Sequence, residues 1–352
     1  MLKNTELSGV KEIARRANVS IATVDRVLHN RPGVSIKTKE KIDAIIKEMD
    51  YKPNLLARRL ASKKVFKFAV LIPKESSETE YWRAPLEGIR TAWSEIQLYG
   101  VEVLFFLYDL NDRSTFNCEA EKILHDNFQG VIVAPSFIRE AVEFFNACET
   151  AKIKCVFINS DVAHVKPLSY IGPDLFQSGK LAGNLCKYLV PEDGNILVFN
   201  ISRVLDAEHH LLKKSEGFRS YFEETKSSVG IDVLTVHQTD YASVIKELCA
   251  YLKDHSVDLI FVTNSRIFTI ARYFEEHNIS GVKLVGYDYL QQNLQYLEKG
   301  IIDFLICQKP IEQGYQALMT LYNYFINQIT VDKTQVMPID IITKENYKFY
   351  KN

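Results

Sequence analysis

Residues 10–28 read VKEIARRANVSIATVDRVL. The apolar residues keep helical spacing up to Ala17 and resume it from Ala22. Between them, Asn18 tolerates the left-handed backbone of a tight turn, and Ser20 is a residue type that caps a helix by accepting a bond from a backbone N–H. The stretch therefore predicts two short helices joined by a tight turn, a helix-turn-helix unit.

The second of these helices has two different faces. Val24 and Leu28 are expected to face a core, while Ile21, Ala22 and Arg26 point outward. A short helix with a basic outer face suits the major groove of DNA. An ordinary helical hairpin is the alternative.

The charge distribution supports the DNA interpretation. Residues 1–64 contain 15 Lys and Arg against 7 Asp and Glu, a net charge of +8, within a chain of net charge −1. The remaining residues contain 28 basic and 37 acidic side chains, a net charge of −9. Phosphate affinity is thus concentrated at one end of the chain. From Ser35 a third amphipathic run, interleaved with lysines, closes a three-helix head.

From residue 65 onward, apolar runs of strand length alternate with amphipathic helical stretches. The predicted strands cover residues 66–72, 101–107, 130–134, 155–159, 195–200 and 259–262. The predicted helices cover residues 84–98, 114–125, 140–150, 176–189, 216–222, 241–253 and 268–276. This alternation predicts right-handed crossovers and parallel sheets, and the number of elements predicts two sheets.

The sequence lacks the signals of secreted, membrane-spanning and disulfide-bonded proteins, and this limits the class of protein. The N-terminus has no signal-peptide core, and no stretch approaches the roughly 20 apolar residues of a membrane span. The six cysteines form no CxxC pair, which is typical of reduced thiols. We expect a cytoplasmic protein with no membrane partner.

Catalytic and cofactor motifs are also missing. The chain contains no GxSxG, HExxH, GxGxxG or Walker-type loop, so we expect no enzyme, no cofactor and no metal. His209 and His210, with Asp206 and Glu208 nearby, match no zinc-site spacing, and we interpret them as part of a solvated loop.

The segments VKEIARRANVS, TVDRVL and YKPNLLARRL together resemble the DNA-binding head and hinge of the lactose/galactose repressor (LacI/GalR) family. The resemblance implies a helix-turn-helix domain over residues 1–53 and a hinge helix over 54–63 that orders on DNA. It places Leu60 as a wedge in the minor groove; a buried linker leucine is the alternative. The implied DNA-binding residues are Ser20, Ile21, Ala22, Thr23, Arg26, Asn30 and Leu60.

Three positions of the second helix would contact DNA bases and so determine which DNA sequence is recognised. Arg26 can form a paired contact with guanine, and Ile21 and Ala22 can meet thymine methyl groups. Arg26 is alternatively a phosphate clamp. Asp25 stands where the family usually has Ser, which brings a negative charge near phosphates unless Asp25 pairs with a nearby arginine.

The segments GVIVAPS, YIGPDLFQSGKLAG, LIFVTNS, LVGYD and ICQKPIEQG resemble, in this order, sugar-binding proteins of the periplasmic type. The fold class implied is α/β: a three-helix helix-turn-helix head followed by a two-lobed α/β/α body with parallel sheets over residues 64–352. Lobe 1 is expected at about 64–173 and 309–333, and lobe 2 at about 174–308 and 334–352. Ligands of such sheets bind at the carboxyl ends of the strands.

The same resemblance implies a set of ligand-binding residues between the lobes. They are Trp82, Asp109, Asn159, Asp174, Lys214, Asn264, Asp288 and Gln308. Trp82 would stack on a sugar ring or, alternatively, pack on its own lobe, and Asp174 is equally a helix cap. Asn159-Ser160 replaces a common Asp-Arg pair, and Lys214 replaces an Arg, so we expect the ligand to differ from the commonest pentoses and hexoses.

These features together predict a homodimeric repressor. It would bind a pseudo-palindromic double-stranded operator, and a small sugar or sugar derivative would change the spacing of its hinge helices. The alternative is a regulator whose body serves only as a platform for dimerisation or a partner protein, without binding a metabolite.

Overall fold

The computed structural model divides into two compact units, Met1–Lys64 and Val65–Asn352. The residues that the structure describes are 9–28, 31–49, 51, 65–76, 80–203 and 209–352. The predicted hinge at 54–63, with Leu60, lies outside the described residues, as does Asn30.

The described part of the first unit forms a three-helix head, as predicted. Its helices are α1 (Val10–Ala17), α2 (Ile21–Leu28) and α3 (Ile36–Glu48). Each helix contributes one fully buried side chain to the core, namely Ile13, Val24 and Ile42. The small residue Ala14 is also buried, which allows the helices to cross closely.

The turns of the head have the geometry that the sequence predicts. Asn18 ends α1 in the left-handed region, at φ 57°. Ser20 Oγ accepts a hydrogen bond from the Thr23 backbone N–H at 3.1 Å, and Ser35 Oγ accepts one from Thr38 N–H at 3.2 Å. These caps satisfy N–H groups that have no partner within the helix.

The second unit contains two sheets, as predicted; each has six strands and forms one lobe. The strands of the first sheet are β1 (Phe66–Pro73), β2 (Val101–Tyr108), β3 (Gly130–Val133), β4 (Lys154–Ile158), β5 (Ser169–Gly172) and β11 (Thr334–Val336). They are all parallel, in the order β11-β5-β4-β3-β1-β2. The helices of this lobe are α4 (Arg83–Ile96), α5 (Arg113–Leu124), α6 (Ile138–Ala151) and α12 (Pro310–Tyr322).

The second sheet has the same plan with one antiparallel strand. Its strands are β6 (Asn195–Ile201), β7 (Gly230–Val236), β8 (Leu259–Val262), β9 (Lys283–Tyr287), β10 (Phe304–Cys307) and β12 (Asp340–Ile342). Their order is β12-β10-β9-β8-β6-β7, and β12 runs antiparallel to β10. The helices of this lobe are α7 (Leu175–Lys187), α8 (His209–Glu224), α9 (Tyr241–Leu252), α10 (Ile267–Glu276) and α11 (Gln291–Glu298).

Each sheet is covered on both faces, and β1 shows this most clearly. Phe68 and Val70 belong to the hydrophobic cluster on one face of the first sheet, and Ala69 and Leu71 belong to the cluster on the other. All four are fully buried. Burial on both faces explains why the strand FKFAVLIP is a continuous apolar run instead of an alternating one.

The chain crosses between the lobes after β5, after β10 and after β11. The first two crossings lie near residues 173 and 309. The third lies after residue 336, because β11 pairs with β5 in the first sheet, with Thr334 opposite Tyr170, whereas β12 joins the second sheet. Residues 334–336 therefore belong to lobe 1, not to lobe 2 as predicted.

Helices α4 and α12 pack with their backbones in contact at two glycines. A Cβ atom added to Gly88 would lie 1.9 Å from the Ile311 carbonyl oxygen, and one added to Gly314 would lie 2.1 Å from the Pro85 carbonyl oxygen. Larger residues at either position would force the two helices apart.

Helices α7 and α8 pack in the same way. A Cβ atom added to Gly179 would lie 2.0 Å from the Lys214 carbonyl oxygen, and one added to Gly217 would lie 2.0 Å from the Phe176 carbonyl oxygen. This contact fixes the position of α8, and with it the position of Lys214.

We predict that Gly88→Ala destabilises the body by at least about 1–3 kcal/mol, because the added methyl group overlaps the α12 backbone. The sign of this change in the free energy of unfolding distinguishes the two effects, since Gly→Ala within a helix normally stabilises by about 1 kcal/mol. Urea unfolding followed by tryptophan fluorescence measures the effect, because both tryptophans, Trp82 and Trp93, lie in the body. The exposed Glu87→Ala on the same helix is the control, with a change within about 0.5 kcal/mol. A Gly88→Ala protein as stable as the wild type would contradict the packing.

Candidate functional site

A cleft lies between the two lobes, at the carboxyl ends of both sets of strands. The space within it is about 950 Å³ when the part open to solvent is included. Its polar lining follows the strands directly: residues 134–136 follow β3, 159–160 follow β4, 264–266 follow β8, Asp288 follows β9 and Gln308 follows β10. This is where parallel sheets place ligand contacts.

Six of the eight predicted ligand residues line this cleft. They are Trp82, Asn159, Lys214, Asn264, Asp288 and Gln308. Asp109 is not among the lining residues and instead pairs with Lys74 at 2.9 Å. Asp174 is also absent from the lining; it caps α7 by accepting a bond from the Gln177 backbone N–H at 2.9 Å, which is the alternative that the sequence left open.

Asp288 and Gln308 form a buried acceptor group of the cleft. Gln308 Nε2 lies 3.5 Å from Asp288 Oδ1. Within the described residues, the buried Gln308 Oε1 has no hydrogen-bond partner, so it is available to accept a bond from a ligand. Burial raises the pKa of Asp288 to about 6, although Lys214 and Gln308 oppose the shift.

A buried asparagine holds the strand ends that carry Asp288. Asn293 Nδ2 donates to the carbonyl oxygens of Tyr287 and Asp288, both at 3.0 Å, and of Ser265 at 3.1 Å. Asp288 itself has φ 75°, a left-handed conformation that Asp adopts more readily than most residues. The carboxylate is therefore positioned by a strained but well-supported turn.

Lys214 reaches the cleft from α8 and is almost completely buried. Its Nζ lies 3.7 Å from the centre of the Tyr287 ring and donates to the Thr263 carbonyl oxygen at 3.3 Å. Burial lowers the pKa of Lys214 to about 8, although the nearby charge of Asp288 opposes the shift. The lysine is thus a desolvated cation at the wall of the cleft.

The first lobe contributes aromatic and amide groups. Tyr81 donates from its hydroxyl to Asn159 Oδ1 at 2.7 Å, and its ring meets Trp82 edge to face at 5.1 Å. Trp82 is 5% exposed and belongs to the hydrophobic core of its lobe while lining the cleft. Trp82 therefore packs on its own lobe, as one alternative predicted, and also lines the cleft, as the other alternative requires.

The sequence analysis missed several lining residues. They are Tyr81, Leu110, Asn111, Ala134, Pro135, Ser136, Ile138, Ser160, Ile201, Ser202, Arg203, His210, Leu211, Ser265 and Arg266. The interpretation of His209 and His210 as part of a solvated loop is wrong, because both lie in the first turn of α8 and His210 lines the cleft; Asp206 and Glu208 lie outside the described residues. Ser136, Arg203 and Arg266 follow β3, β6 and β8 by two to four residues, so their position after a strand was a usable signal.

In the head, α2 presents the outward face that the sequence predicts. Ile21 is 50% exposed, and Ala22 and Arg26 are also exposed. Arg31 pairs with Asp25 at 3.3 Å, which is the pairing that the unusual acid at this position requires.

Comparisons with known proteins agree with this architecture. Residues 9–54 match the model of bacterial regulatory proteins of the lacI family, and residues 68–328 match the periplasmic binding protein domain. The transcriptional regulator RegA of Clostridium acetobutylicum is 44% identical over 71 residues, and catabolite control protein A of Staphylococcus aureus is 44% identical over 68. These matches cover 20% and 19% of this chain, and each covers 21% of the relative's length.

Solved structures match most of the chain. A candidate LacI transcriptional regulator from Bacteroides fragilis is 28% identical with a TM-score of 0.77, and the match covers 82% of this chain and 100% of that one. GanP, a glucose-galactose binding protein from Geobacillus stearothermophilus, shares the fold at 21% identity, with a TM-score of 0.71 and coverage of 80% and 99%.

The chain thus combines a helix-turn-helix head with a two-lobed body of the periplasmic binding protein type. Residues 9–54 form a DNA-binding domain of the lacI family type, and the body belongs to the periplasmic binding protein domain family. Within the ranges that the structure describes, no helix has the length and apolar character of a membrane span.

We predict that ionisation of Asp288 destabilises the folded protein. Its pKa is about 6 in the fold against an ordinary 3.8, so the folded state holds the proton more tightly than the unfolded state. Stability is greatest with the carboxyl protonated and falls by about 3 kcal/mol as the pH rises from about 4 to 6. Urea unfolding at pH 4.5 to 7.5 should show that the free energy of unfolding of Asp288→Asn increases relative to that of the wild type as the pH rises.

Asp109→Asn is the control, because the pKa of Asp109 is shifted in the opposite direction. The bond from Lys74 lowers the pKa of Asp109, so its ionised form stabilises the fold, and that stability is lost as the pH falls through the lowered pKa. That change falls at and below the ordinary pKa of 3.8, so the stability difference between Asp109→Asn and the wild type should stay constant from pH 4.5 to 7.5. Equal slopes for the two variants would contradict the assignment for Asp288.

Proposed function

We propose that this protein is a cytoplasmic transcriptional repressor whose affinity for DNA is controlled by a small sugar-like effector. It acts as a homodimer on a pseudo-palindromic operator, and the effector binds between the lobes of the body. The observation that carries the proposal is the presence, in one chain, of an exposed face on α2 and a cleft with a desolvated acceptor group, Asp288 and Gln308.

The exposed face of α2 has the chemistry of base recognition. Arg26 carries paired donors that match guanine, and the side chains of Ile21 and Ala22 are of a size to meet thymine methyl groups. The ion pair between Asp25 and Arg31 offsets the negative charge that would otherwise face phosphates. Two such heads related by two-fold symmetry read two half-sites.

The cleft has the chemistry of hydroxyl recognition. The carboxylate of Asp288 and the amides of Asn159 and Gln308 accept or donate hydrogen bonds to neighbouring hydroxyl groups. Trp82 and Tyr81 supply aromatic surface beside them. We assign these groups to binding and not to catalysis, since recognition of hydroxyls accounts for each of them.

Effector binding controls DNA affinity through lobe closure. Three crossings connect the lobes, so closing the cleft rotates one lobe against the other and changes the geometry presented to the head. The coupling is reciprocal, because effector and operator must change each other's affinity by the same factor.

We predict that Arg26→Ala weakens binding to the preferred operator by about 1–3 kcal/mol and relaxes selection at one base pair. An operator selected from a random duplex library, with binding of single-base variants measured by fluorescence anisotropy, tests this. The control is Arg15→Ala, which removes an exposed head arginine paired with Glu12 and should leave the base preference intact. A uniform loss over all sequences with Arg26→Ala would make Arg26 a phosphate contact.

We predict that a sugar or sugar derivative stabilises the body and changes operator affinity. At about 100 times its dissociation constant, a ligand adds roughly 2.7 kcal/mol to stability, which a thermal-shift panel of sugars, polyols and nucleosides detects. Asp288→Asn should remove the shift. If no compound binds, the alternative of a platform without a metabolite is favoured; if one binds but operator affinity stays the same, the control by effector is wrong.

A further inference from the structure

The walls of the cleft differ in charge. Among the described residues, those lining it from the first lobe include no charged side chain, whereas the second lobe contributes Arg203, His210, Lys214 and Arg266. Asp288 is the one carboxylate among the described lining residues. Residues 65–352 carry a net charge of −9. The wall formed by these cations therefore has the opposite sign to the net charge of the body.

Lys214 is the most informative of these cations. It is 3% exposed, and within the described residues it forms no ion pair within 4.0 Å, only the bond to Thr263 and the contact with the Tyr287 ring. Burying a cation without a paired anion is costly. Asp288 offsets part of this charge, and a bound anion would stabilise it further.

The two arginines have partners within the fold, and the charge of Arg203 contributes to the lowered pKa values of Asp109 and Asp240. Arg203 Nε donates to Thr239 Oγ1 at 2.7 Å. The Arg266 backbone N–H donates to Asn264 Oδ1 at 3.1 Å, and Asn264 Nδ2 donates to the Ile201 carbonyl oxygen at 2.6 Å. The first bond holds the Arg203 side chain, and the other two hold the backbone at Arg266, and both residues line the cleft after β6 and β8.

The helices of this wall add to the same field. Arg266 is the residue before α10, a helix of 10 residues, and His210 lies in the first turn of α8, a helix of 16 residues. The N-terminal ends of helices carry a partial positive charge that favours anions. The side chains and the helix ends thus favour the same ligand charge.

We propose that the effector is an acidic sugar, in which a phosphate or carboxylate group lies against Arg203, Lys214 and Arg266 while its hydroxyls face Asp288, Gln308 and Asn159. This inference rests on the proposed function and names the ligand class of the same cleft. Arginine recognises phosphate and carboxylate by paired hydrogen bonds, and the uncharged first-lobe wall suits the polyol part. The Lys214 and Asn159-Ser160 departures from common sugar binders are then adaptations to a different ligand charge.

The experiment compares acidic sugars with their neutral partners on the full chain by calorimetry. The pairs are glucose with glucose 6-phosphate, fructose with fructose 1-phosphate, galactose with galacturonate, and glucose with glucuronate. We expect at least one acidic compound to bind about 10-fold or more tightly than its neutral partner, with affinity falling as salt is added. The phosphate and carboxylate arms identify which group is bound.

Arg266→Gln and Arg203→Gln should each reduce the preference for the acidic partner by about 10-fold while changing the affinity for the neutral partner little. Arg219→Gln is the matched control, because Arg219 is an exposed arginine of α8 outside the cleft lining. Thermal unfolding without ligand checks that the variants fold. Because two arginine variants are made, the test remains possible if one of them does not fold.

The outcomes separate this inference from the proposed function. If neutral sugars bind as tightly as their acidic partners and the arginine variants leave the preference unchanged, the acidic-sugar inference is overturned while the sugar effector stands. If no member of any pair binds, both are overturned. If the preference survives in Arg203→Gln and Arg266→Gln but falls in Arg219→Gln, the anion lies elsewhere and the inference is also overturned.

Discussion

The body depends on one constraint: parallel strands that are buried on both faces leave only their ends for polar chemistry. Helices cover each sheet on both sides, so β1 reads as an unbroken apolar run. Polar side chains in the middle of such strands would be buried without partners. The polar residues therefore collect where strands end, and the carboxyl ends of the two sheets face one another across the cleft.

This geometry gives the cleft unusual electrostatics. Asp288 and Lys214 are both desolvated, and their pKa values move toward each other, to about 6 and about 8. The burial that raises the cost of these charges also strengthens their interactions with a ligand. Glycine contacts between α7 and α8 bring Lys214 to the wall, so the packing of two helices sets the charge of the site.

The head follows a different rule, because it is small and its core is built from few residues. Ile13, Val24 and Ile42 hold the three helices together, while the opposite face of α2 keeps Ile21 and Arg26 exposed. An exposed isoleucine costs nothing in packing at this position and leaves apolar surface for a partner.

The sequence by itself determined the local features. Helical periodicity defined α1 to α3, Asn18 and Ser20 defined the turn, and apolar runs defined β1 to β4, because each of these depends on neighbouring residues alone. The family motifs placed Asn159, Lys214, Asn264, Asp288 and Gln308 in one cleft. Only the tertiary structure decided the rest. Strands β5, β7 and β9 to β12 were not among the predicted strands; of these, β11 and β12 are only three residues long and exist through pairing with a distant strand. The third lobe crossing was misplaced for that reason. Arg203, His210 and Arg266 were missed, and Asp109 and Asp174 misassigned to the lining, because which side chain after a strand turns toward the cleft depends on caps and ion pairs formed in the folded protein.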